Sequence, residues 1–190
     1  VDAGRKPGDL KIFSLATPIT GETRAEAEEK LADYRRYIST EGALVQISGA
    51  MGIDLAAFDP DMPVAELAGI QTDATRTALE ALAKGSGHPE WTIRQMAEYA
   101  GIGGRSPVFV GSGGEVADEM IDWVERTGVD GFNLAYAVTP ETFEDLSDKI
   151  VPALQERGRF KTAYRDGSLR EKLFGQARLG TEHPAAQYRW

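Results

Sequence analysis

Residues 105–136 constrain the fold most, because they read as a strand, a glycine turn, a helix and a second strand with almost no residue left over. The first strand is the short apolar run 108–110, of the kind that is buried on both faces of a parallel sheet. Gly128 ends the helix, and residues 129–137 supply the second strand. A crossover of this length between parallel strands is expected to be right-handed. The stretch therefore predicts a βαβ unit and an α/β fold.

The helix of this unit has a clear start. Ser112 and Glu115 have the spacing of a capping box, in which each side chain bonds the backbone N–H of the other residue. Apolar side chains then recur at helical spacing and form one stripe that can pack on a sheet. These residues are Val116, Met120, Trp123 and Val124.

The turn at residues 111–114, Gly-Ser-Gly-Gly, allows two interpretations. Free backbone N–H groups at a helix N-terminus bind phosphate without a positive side chain, which makes Gly111 and Ser112 candidate cofactor contacts. The alternative is a tight turn followed by an ordinary cap. The spacing alone favours the cap, because the full dinucleotide and Walker patterns are absent.

The composition limits the possible functions. A net charge of −9 argues against nucleic acid as a partner, since phosphate backbones require clustered Lys and Arg. The chain has no cysteine and only two histidines, His88 and His183, so we expect no metal site. No apolar run approaches the ~20 residues that span a bilayer, and the N-terminal residues lack the apolar core of a signal peptide. We therefore expect no membrane association and a cytoplasmic location.

Residues 10–39 predict a second strand–helix unit. The strand covers residues 10–19 and is ended by Pro18 and the glycine at position 21. Thr23 and Glu26 repeat the capping-box spacing and predict a helix that continues to about residue 39.

The first strand alternates bulky and small side chains. Phe13 and Leu15 are bulky, whereas Ser14 and Ala16 are small. Successive side chains of a strand point to opposite faces. One face is therefore expected to pack under helices, and the other to look into a narrower space or onto a ligand.

The regular alternation lapses in residues 40–91, where Gly and Pro separate short apolar pieces. We interpret this segment as an insertion with one further helix at residues 72–84. It forms a lid or a subunit contact, or else a passive surface excursion. Long loops in compact domains are more often functional or disordered than idle.

The remaining elements follow from cap and breaker signals. Thr92 and Gln95 predict a short helix, and residues 139–140, Thr-Pro, predict the start of the last one. Pro152 must interrupt or kink that helix. The polar tail, residues 159–190, is expected to wrap over the surface or a neighbouring subunit.

The alternation of strands and helices predicts part of a (β/α)8 barrel of the TIM type. A barrel takes eight strands and roughly 250 residues, and this chain supplies three strands. We therefore predict one partial barrel domain over residues 1–190. Its parts are a strand–helix unit at 10–39, an insertion at 40–91, a βαβα unit at 105–158 and a tail at 159–190. The remaining strands come from a longer protein or from a partner subunit, and exposed sheet edges predict a homo-oligomer.

Two runs resemble the end of bacterial-luciferase-like flavin monooxygenases. They are PVFVGSGGEVADEMIDWVERTGVDGFNLAY and TPETFEDLSDKIVPALQERGRF. The group indicated is that of nitrilotriacetate and dibenzothiophene sulfone monooxygenases, which also includes a long-chain alkane monooxygenase. The run LKIFSLATPITGETRAEAEEKLADYRRYI is similar to the sixth strand and helix of that group, and ALVQISGAMGIDLAAFD to its insertion. The resemblance covers nearly the whole chain.

The resemblance implies a barrel that oxygenates a small organic substrate with O2 and reduced FMN, the flavin being supplied by a separate flavin reductase. Substrates of this kind are organic sulfur compounds, amines or hydrocarbons. By position the chain carries strands six to eight, and the missing strands supply much of the flavin site. The alternative is a catalytically silent flavin-binding or barrel-stabilising partner subunit.

In such a barrel the active site lies at the C-terminal ends of the strands. Asn133 alternates with larger neighbours and is expected to face the lumen, where it bonds flavin or an internal network. On the first strand, Ser14 and Thr17 are the corresponding candidates for ligand contacts in the lumen or at its rim. The alternative is that their hydroxyl groups form hydrogen bonds within the core. Tyr136 is expected to border the substrate mouth, with simple packing as the alternative.

Overall fold

The structure is a computed structural model that describes residues 8–67, 90–103, 106–181 and 183–188. The helix predicted at residues 72–84 and His88 lie outside the described residues. Within them, three parallel strands form one sheet. The strands are β1 (Phe13–Gly21), β2 (Val108–Ser112) and β3 (Gly131–Leu134).

The strand order is β2-β1-β3, with β1 at the centre. The first part of β1, up to Ala16, pairs with β3, and the second part, from Thr17 to Gly21, pairs with β2 on the other side. Three consecutive barrel strands would place β2 in the middle, so the assignment of these strands as six, seven and eight in order is wrong. The predicted βαβ unit is confirmed, because β2 and β3 are parallel strands of one sheet joined through a helix, although β1 lies between them. β1 has 9 residues, so its first part can pair with β3 along one edge and its second part with β2 along the other.

Pro18 does not end the first strand as predicted. The N–H of Thr17 donates to the carbonyl of Pro107 over 2.9 Å, on the side of β2. Alternate residues of a strand turn their N–H groups to opposite sides, so the missing N–H of Pro18 belongs to the side of β3. Pairing with β3 stops at Ala16, so the missing N–H of Pro18 removes no hydrogen bond between the strands.

The helix between β2 and β3 begins and ends where the sequence predicts. This helix, α5 (Gly113–Thr127), has Ser112 as N-cap and Glu115 in a complete capping box. Gly128 ends it with a φ of 72°, a left-handed conformation that glycine adopts without steric cost. The strand that follows is shorter than the predicted 129–137.

The segment after β1 contains two helices where one was predicted. Thr23 caps α1 (Arg24–Arg35) by accepting the N–H of Glu26, while the Glu26 carboxylate accepts from Glu22 instead of Thr23. Ser39 then caps a second helix, α2 (Thr40–Met51). The insertion therefore begins with a regular helix rather than with irregular pieces.

The described elements that follow α2 pack against it. They are a 3₁₀ turn (Leu55–Ala57) and α3 (Val64–Leu67) in the insertion, and α4 (Ile93–Gly103) just after it. The predicted cap of α4 is confirmed, because Thr92 and Gln95 exchange side chain-to-backbone hydrogen bonds.

Two hydrophobic clusters hold these elements together. The first joins the helices of the insertion through Ala43, Ile47, Met51, Leu55, Val64, Leu67, Ile93, Met96, Ala97 and Ala100. The second lies between one face of the sheet, α5 and the last long helix. Its members are Ala16, Phe109, Val116, Ala117, Met120, Ile150, Ala153 and Leu154.

The last long helix changes its winding before Pro152, as predicted. It runs as α6 (Glu141–Asp145), a π-helical turn (Leu146–Ile150) and α7 (Val151–Glu156). A wide turn at this point accommodates the proline ring and its missing N–H. Pro140 is the N-cap rather than the first helical residue.

The tail is exposed and carries two short helical turns that the sequence analysis did not predict. They are α8 (Leu169–Phe174), which buries no residue, and a 3₁₀ turn (Pro184–Tyr188). None of the helices in the described part of the chain is long and apolar enough to cross a membrane.

Candidate functional site

One face of the sheet is covered by helices, and the other face is partly open. Phe132 and Leu134 of β3 pack on the second hydrophobic cluster, so their register partners on β1, Ser14 and Ala16, share that covered face. Leu15 pairs with Asn133 and therefore shares the opposite face with it. We call this opposite face the open face.

The open face combines apolar side chains with one free amide. Phe13 and Leu15 are 48% and 41% exposed. Asn133 is exposed, and no residue in the described part of the chain bonds to its side chain. Asn133 lies on the face opposite Phe132 and Leu134, and its position in a barrel lumen and its role as a ligand contact stay predictions.

Ser14 lies on the covered face, which corrects the expectation that it looks into the lumen. Its hydroxyl donates to the carbonyl of Leu15 over 3.2 Å. The strand's alternation was predicted, but the assignment of faces was reversed. The bulky residues Phe13 and Leu15 lie on the open face, because their register partners on β3 alternate with the two β3 residues that pack on the helices.

Thr17 is fully buried, and its hydroxyl is used inside the protein. Its Oγ1 lies 3.0 Å from Oγ of Ser106, and that serine donates to the carbonyl of Gly103 over 2.7 Å. Gly103, at the end of α4, approaches so closely that a Cβ there would lie 2.8 Å from the Thr17 hydroxyl. Thr17 therefore joins the insertion to the sheet and is not accessible to a ligand.

The turn at residues 111–114 is arranged as a helix cap. The backbone N–H and the hydroxyl of Ser112 both donate to the carboxylate of Glu115 over 2.9 Å. Arg24 contacts the same carboxylate over 3.0 Å. A Cβ on Gly113 would lie 2.5 Å from the carbonyl oxygen of Lys149, which leaves no space beside this glycine.

The charge of Glu115 decides whether the turn at residues 111–114 can bind an anion. Its bonds from Ser112 and then from Arg24 lower the pKa of this carboxyl group. The group is therefore ionised at neutral pH and occupies the place where an anion would bind at the helix N-terminus. The arrangement favours the cap over the phosphate interpretation of Gly111 and Ser112.

We expect Ser112→Ala to destabilise the fold without changing ligand binding. The loss of an N-cap costs about 1 kcal/mol, and urea unfolding measures it. Ser168→Ala is the matched control, because Ser168 has the same capping box on α8, a helix that buries nothing. A variant of Ser112 as stable as the wild type would contradict the cap interpretation.

Tyr136 lies just beyond the C-terminal end of β3, because the strand ends at Leu134 rather than at the predicted residue 137, and its place at a substrate mouth stays a prediction. It is 59% exposed, and its ring centroid lies 5.5 Å from that of Phe143. Phe143 is itself 47% exposed. We call these two side chains the aromatic rim.

A network of charged side chains lies behind the aromatic rim and was not predicted. The ammonium of Lys30 donates to the carbonyl of Thr20 over 2.9 Å and to Asp145 over 2.7 Å, and it contacts Glu141 over 2.9 Å. The hydroxyl of Tyr34 donates to the other oxygen of Glu141 over 2.7 Å. The available signal was the spacing, because Lys30 and Tyr34, like Glu141 and Asp145, are four residues apart on a helix.

The pKa shifts follow from these contacts. Burial by itself would lower the pKa of Lys30, but its bonds to Asp145 and Glu141 outweigh burial and raise it. Burial and then the bond to Glu141 raise the pKa of Tyr34. Lys30 and then Tyr34 lower the pKa of Glu141 below its usual 4.5. The network thus holds a charged lysine, a neutral tyrosine and a charged glutamate at neutral pH.

We expect the stabilising effect of Glu141 to depend on pH. Because its folded-state pKa is lowered, its contribution is present above about pH 4.5 and is lost as the pH falls through the folded-state value. Urea unfolding of the wild type and of Glu141→Gln should therefore differ at pH 7 and converge in acid. A difference that is the same at pH 7 and pH 3 would contradict this.

The described residues contain no group of three or more side chains suited to hold a metal ion. The site therefore consists of the open face with Asn133 and, at the end of β3, the aromatic rim supported by the Lys30 network.

No protein-family model matches the chain. Curated relatives do match it. The dimethyl-sulfide monooxygenase of Hyphomicrobium sulfonivorans is 48% identical over 189 residues, which cover 98% of this chain and 39% of the relative. The dibenzothiophene-sulfone monooxygenase of Rhodococcus erythropolis is 35% identical over 173 residues, with 90% and 38% covered. The chain thus spans about two-fifths of the length of these relatives.

Solved structures give the same result. DmoA from Hyphomicrobium sulfonivorans superposes with a TM-score of 0.83 at 46% identity, covering 99% of this chain and 39% of that one. The riboflavin lyase RcaE, solved with modified FMN and riboflavin, gives a TM-score of 0.78 at 29% identity, covering 100% and 41%. Over nearly its whole length the chain is therefore similar to the C-terminal part of the bacterial-luciferase-like monooxygenases, in the group that includes dibenzothiophene-sulfone and nitrilotriacetate monooxygenases.

Proposed function

We propose that this chain forms the C-terminal part of a two-component monooxygenase, which oxygenates a small organic substrate with O2 and reduced FMN. The observation that carries the proposal is the open face of the sheet, with Asn133 between apolar side chains, in a chain that matches only two-fifths of its relatives. In a closed barrel this face would line the lumen. We call the chain combined with the rest of such a barrel the completed assembly.

The open face fits the ring system of a flavin, but the turn at residues 111–114 does not fit its phosphate. A flavin ring has apolar faces and a polar edge, and Phe13, Leu15 and Asn133 offer matching groups. The Glu115 carboxylate at the turn would repel a phosphate. We propose that the phosphate is held by the part of the barrel that this chain lacks.

Reduced flavin, when bound, supplies the electrons that activate O2. The residues of this chain orient the ring and keep water away. The Asn133 amide is placed to bond the polar edge of the ring, and Phe13 and Leu15 exclude water beside it. The aromatic rim is placed to contact the apolar part of the substrate.

The names of the relatives support a proposal for the class of substrate. Dimethyl-sulfide monooxygenase and dibenzothiophene-sulfone monooxygenase are named for organic sulfur compounds. We propose an organic sulfur compound as the substrate, ahead of an amine or a hydrocarbon. A separate flavin reductase would supply the reduced FMN, and the assembly would work in the cytoplasm as a homo-oligomer.

An oxygen electrode tests the proposal. The completed assembly should consume O2 and convert dimethyl sulfide only when reduced FMN is supplied. The matched control is the same mixture with oxidised FMN. Binding of reduced FMN without product would contradict the oxygenase and leave the silent flavin-binding partner as the function.

A further inference from the structure

The loop between β3 and α6 carries Tyr136 and is fixed mainly at its two ends. At its start, the N–H of Ala135 donates to the carbonyl of Ala16 over 2.8 Å. At its end, Val138 and Thr142 exchange hydrogen bonds, so that the loop is joined to the first turn of α6. The ring contact that Tyr136 makes in between is with Phe143, which also lies on α6. Tyr136 is therefore held between β1 and α6, and Phe143, the other member of the aromatic rim, takes its position from α6.

Two carboxylates attach α6 and the following turn to the rest of the fold. Glu141 and Asp145 lie one helical turn apart, with Phe143 between them in sequence. Both carboxylates contact the same ammonium, that of Lys30 on α1. Asp145 also contacts Lys149 over 3.0 Å.

Lys30 is the point at which three elements meet. Its third acceptor is the carbonyl of Thr20, near the C-terminal end of β1. Its side chain is only 15% exposed and that of Asp145 14%, so this contact is shielded from solvent more than a surface ion pair, whereas Glu141 is 44% exposed. One side chain thus joins β1 and α1 to the helix that bears Phe143.

We propose that Lys30 is a positioning residue that holds the Tyr136–Phe143 rim at the C-terminal end of the sheet. Its relevance to substrate binding rests on the proposed function, but its effect on the rim does not. Without this ammonium, Glu141 keeps its bond from Tyr34 and Asp145 keeps its contact with Lys149. Both carboxylates lose their direct link to the Thr20 carbonyl of β1, and the link that remains runs through Lys149 to Glu22, whose side chain is 75% exposed, so α6 and the rim are expected to shift together.

Fluorine NMR of the chain labelled with 3-fluorotyrosine tests this without flavin or substrate. The chain has six tyrosines, and Tyr136→Phe identifies the resonance of Tyr136. Lys30→Met should move that resonance toward its position in the unfolded chain. Lys11→Met is the matched control, because Lys11 contacts Asp130 over 2.8 Å just before β3, at the other end of that strand. The control should leave the Tyr136 resonance in place.

A second variant keeps the test decisive if Lys30→Met does not fold. Glu141→Gln preserves the shape of the side chain and weakens its contact with Lys30, and it should move the same resonance in the same direction by a smaller amount. In the completed assembly, folded Lys30→Met should raise the KM for dimethyl sulfide about tenfold more than it lowers kcat, which is the pattern of a lost binding contact. An unmoved Tyr136 resonance in a folded variant, or an equal shift in Lys11→Met, would overturn the proposal.

Discussion

Asn133→Ala is expected to make the completed assembly release more hydrogen peroxide for each O2 it consumes. The Asn133 amide is exposed on the open face, and no described residue bonds to it. In the proposed site it bonds the polar edge of the flavin. Losing one hydrogen bond of about 1 kcal/mol changes the balance between a held and a displaced ring about fivefold. A displaced ring lets water reach the reacting oxygen before the substrate does.

The measurement is the ratio of hydrogen peroxide to oxygenated product under identical oxygen consumption. Ser14→Ala is the matched control, because Ser14 is on the neighbouring strand but on the covered face. It should leave the ratio unchanged. Equal ratios in the wild type and Asn133→Ala would remove Asn133 from the flavin site.

The chain on its own is expected to self-associate through the open face. Phe13 and Leu15 are large, apolar and exposed there, and β3 pairs with β1 on one side only among the described residues. Exposed strand edges and apolar side chains pair readily with another chain. Light scattering should therefore give a mass well above the 20.6 kDa of one chain.

Replacing both Phe13 and Leu15 with serine should shift the mass toward that of a monomer. Val45→Ser is the matched control, because Val45 is 72% exposed but belongs to α2, away from the sheet. A wild-type chain that is monodisperse at 20.6 kDa would contradict the view that the sheet lacks neighbouring strands and that its open face lacks a partner.

Local signals predicted the central helix well. The start of α5 depends on the Ser112 and Glu115 pair, and its end depends on Gly128, so neighbouring residues decide both. The same holds for the change of winding before Pro152. Such features need no knowledge of distant parts of the chain.

The strand order was not predictable in this way. Whether β1 pairs with one or both of the other strands depends on contacts between residues that are far apart in sequence. Proline lacks the N–H that continues a ladder of hydrogen bonds, so Pro18 predicts the end of a strand. Only the pairing shows that β3 offers no acceptor at this position.

The candidate site was predicted in part. The alternation along β3 placed Asn133 opposite its larger neighbours, and the structure agrees. The alternation along β1 could not show which face the helices cover, so Ser14 was placed on the wrong one. The four-residue spacing of Lys30 and Tyr34, and of Glu141 and Asp145, places each pair on one helix face. No local pattern indicates that these two faces, more than a hundred residues apart, meet.

We propose that this chain completes a binding site for reduced flavin. An anaerobic titration of reduced FMN, followed by flavin fluorescence, tests this on the completed assembly and on the rest of the barrel without this chain. We expect saturable binding to the completed assembly and much weaker binding when the chain is left out. Equal binding with and without the chain, or no binding by the completed assembly, would contradict it.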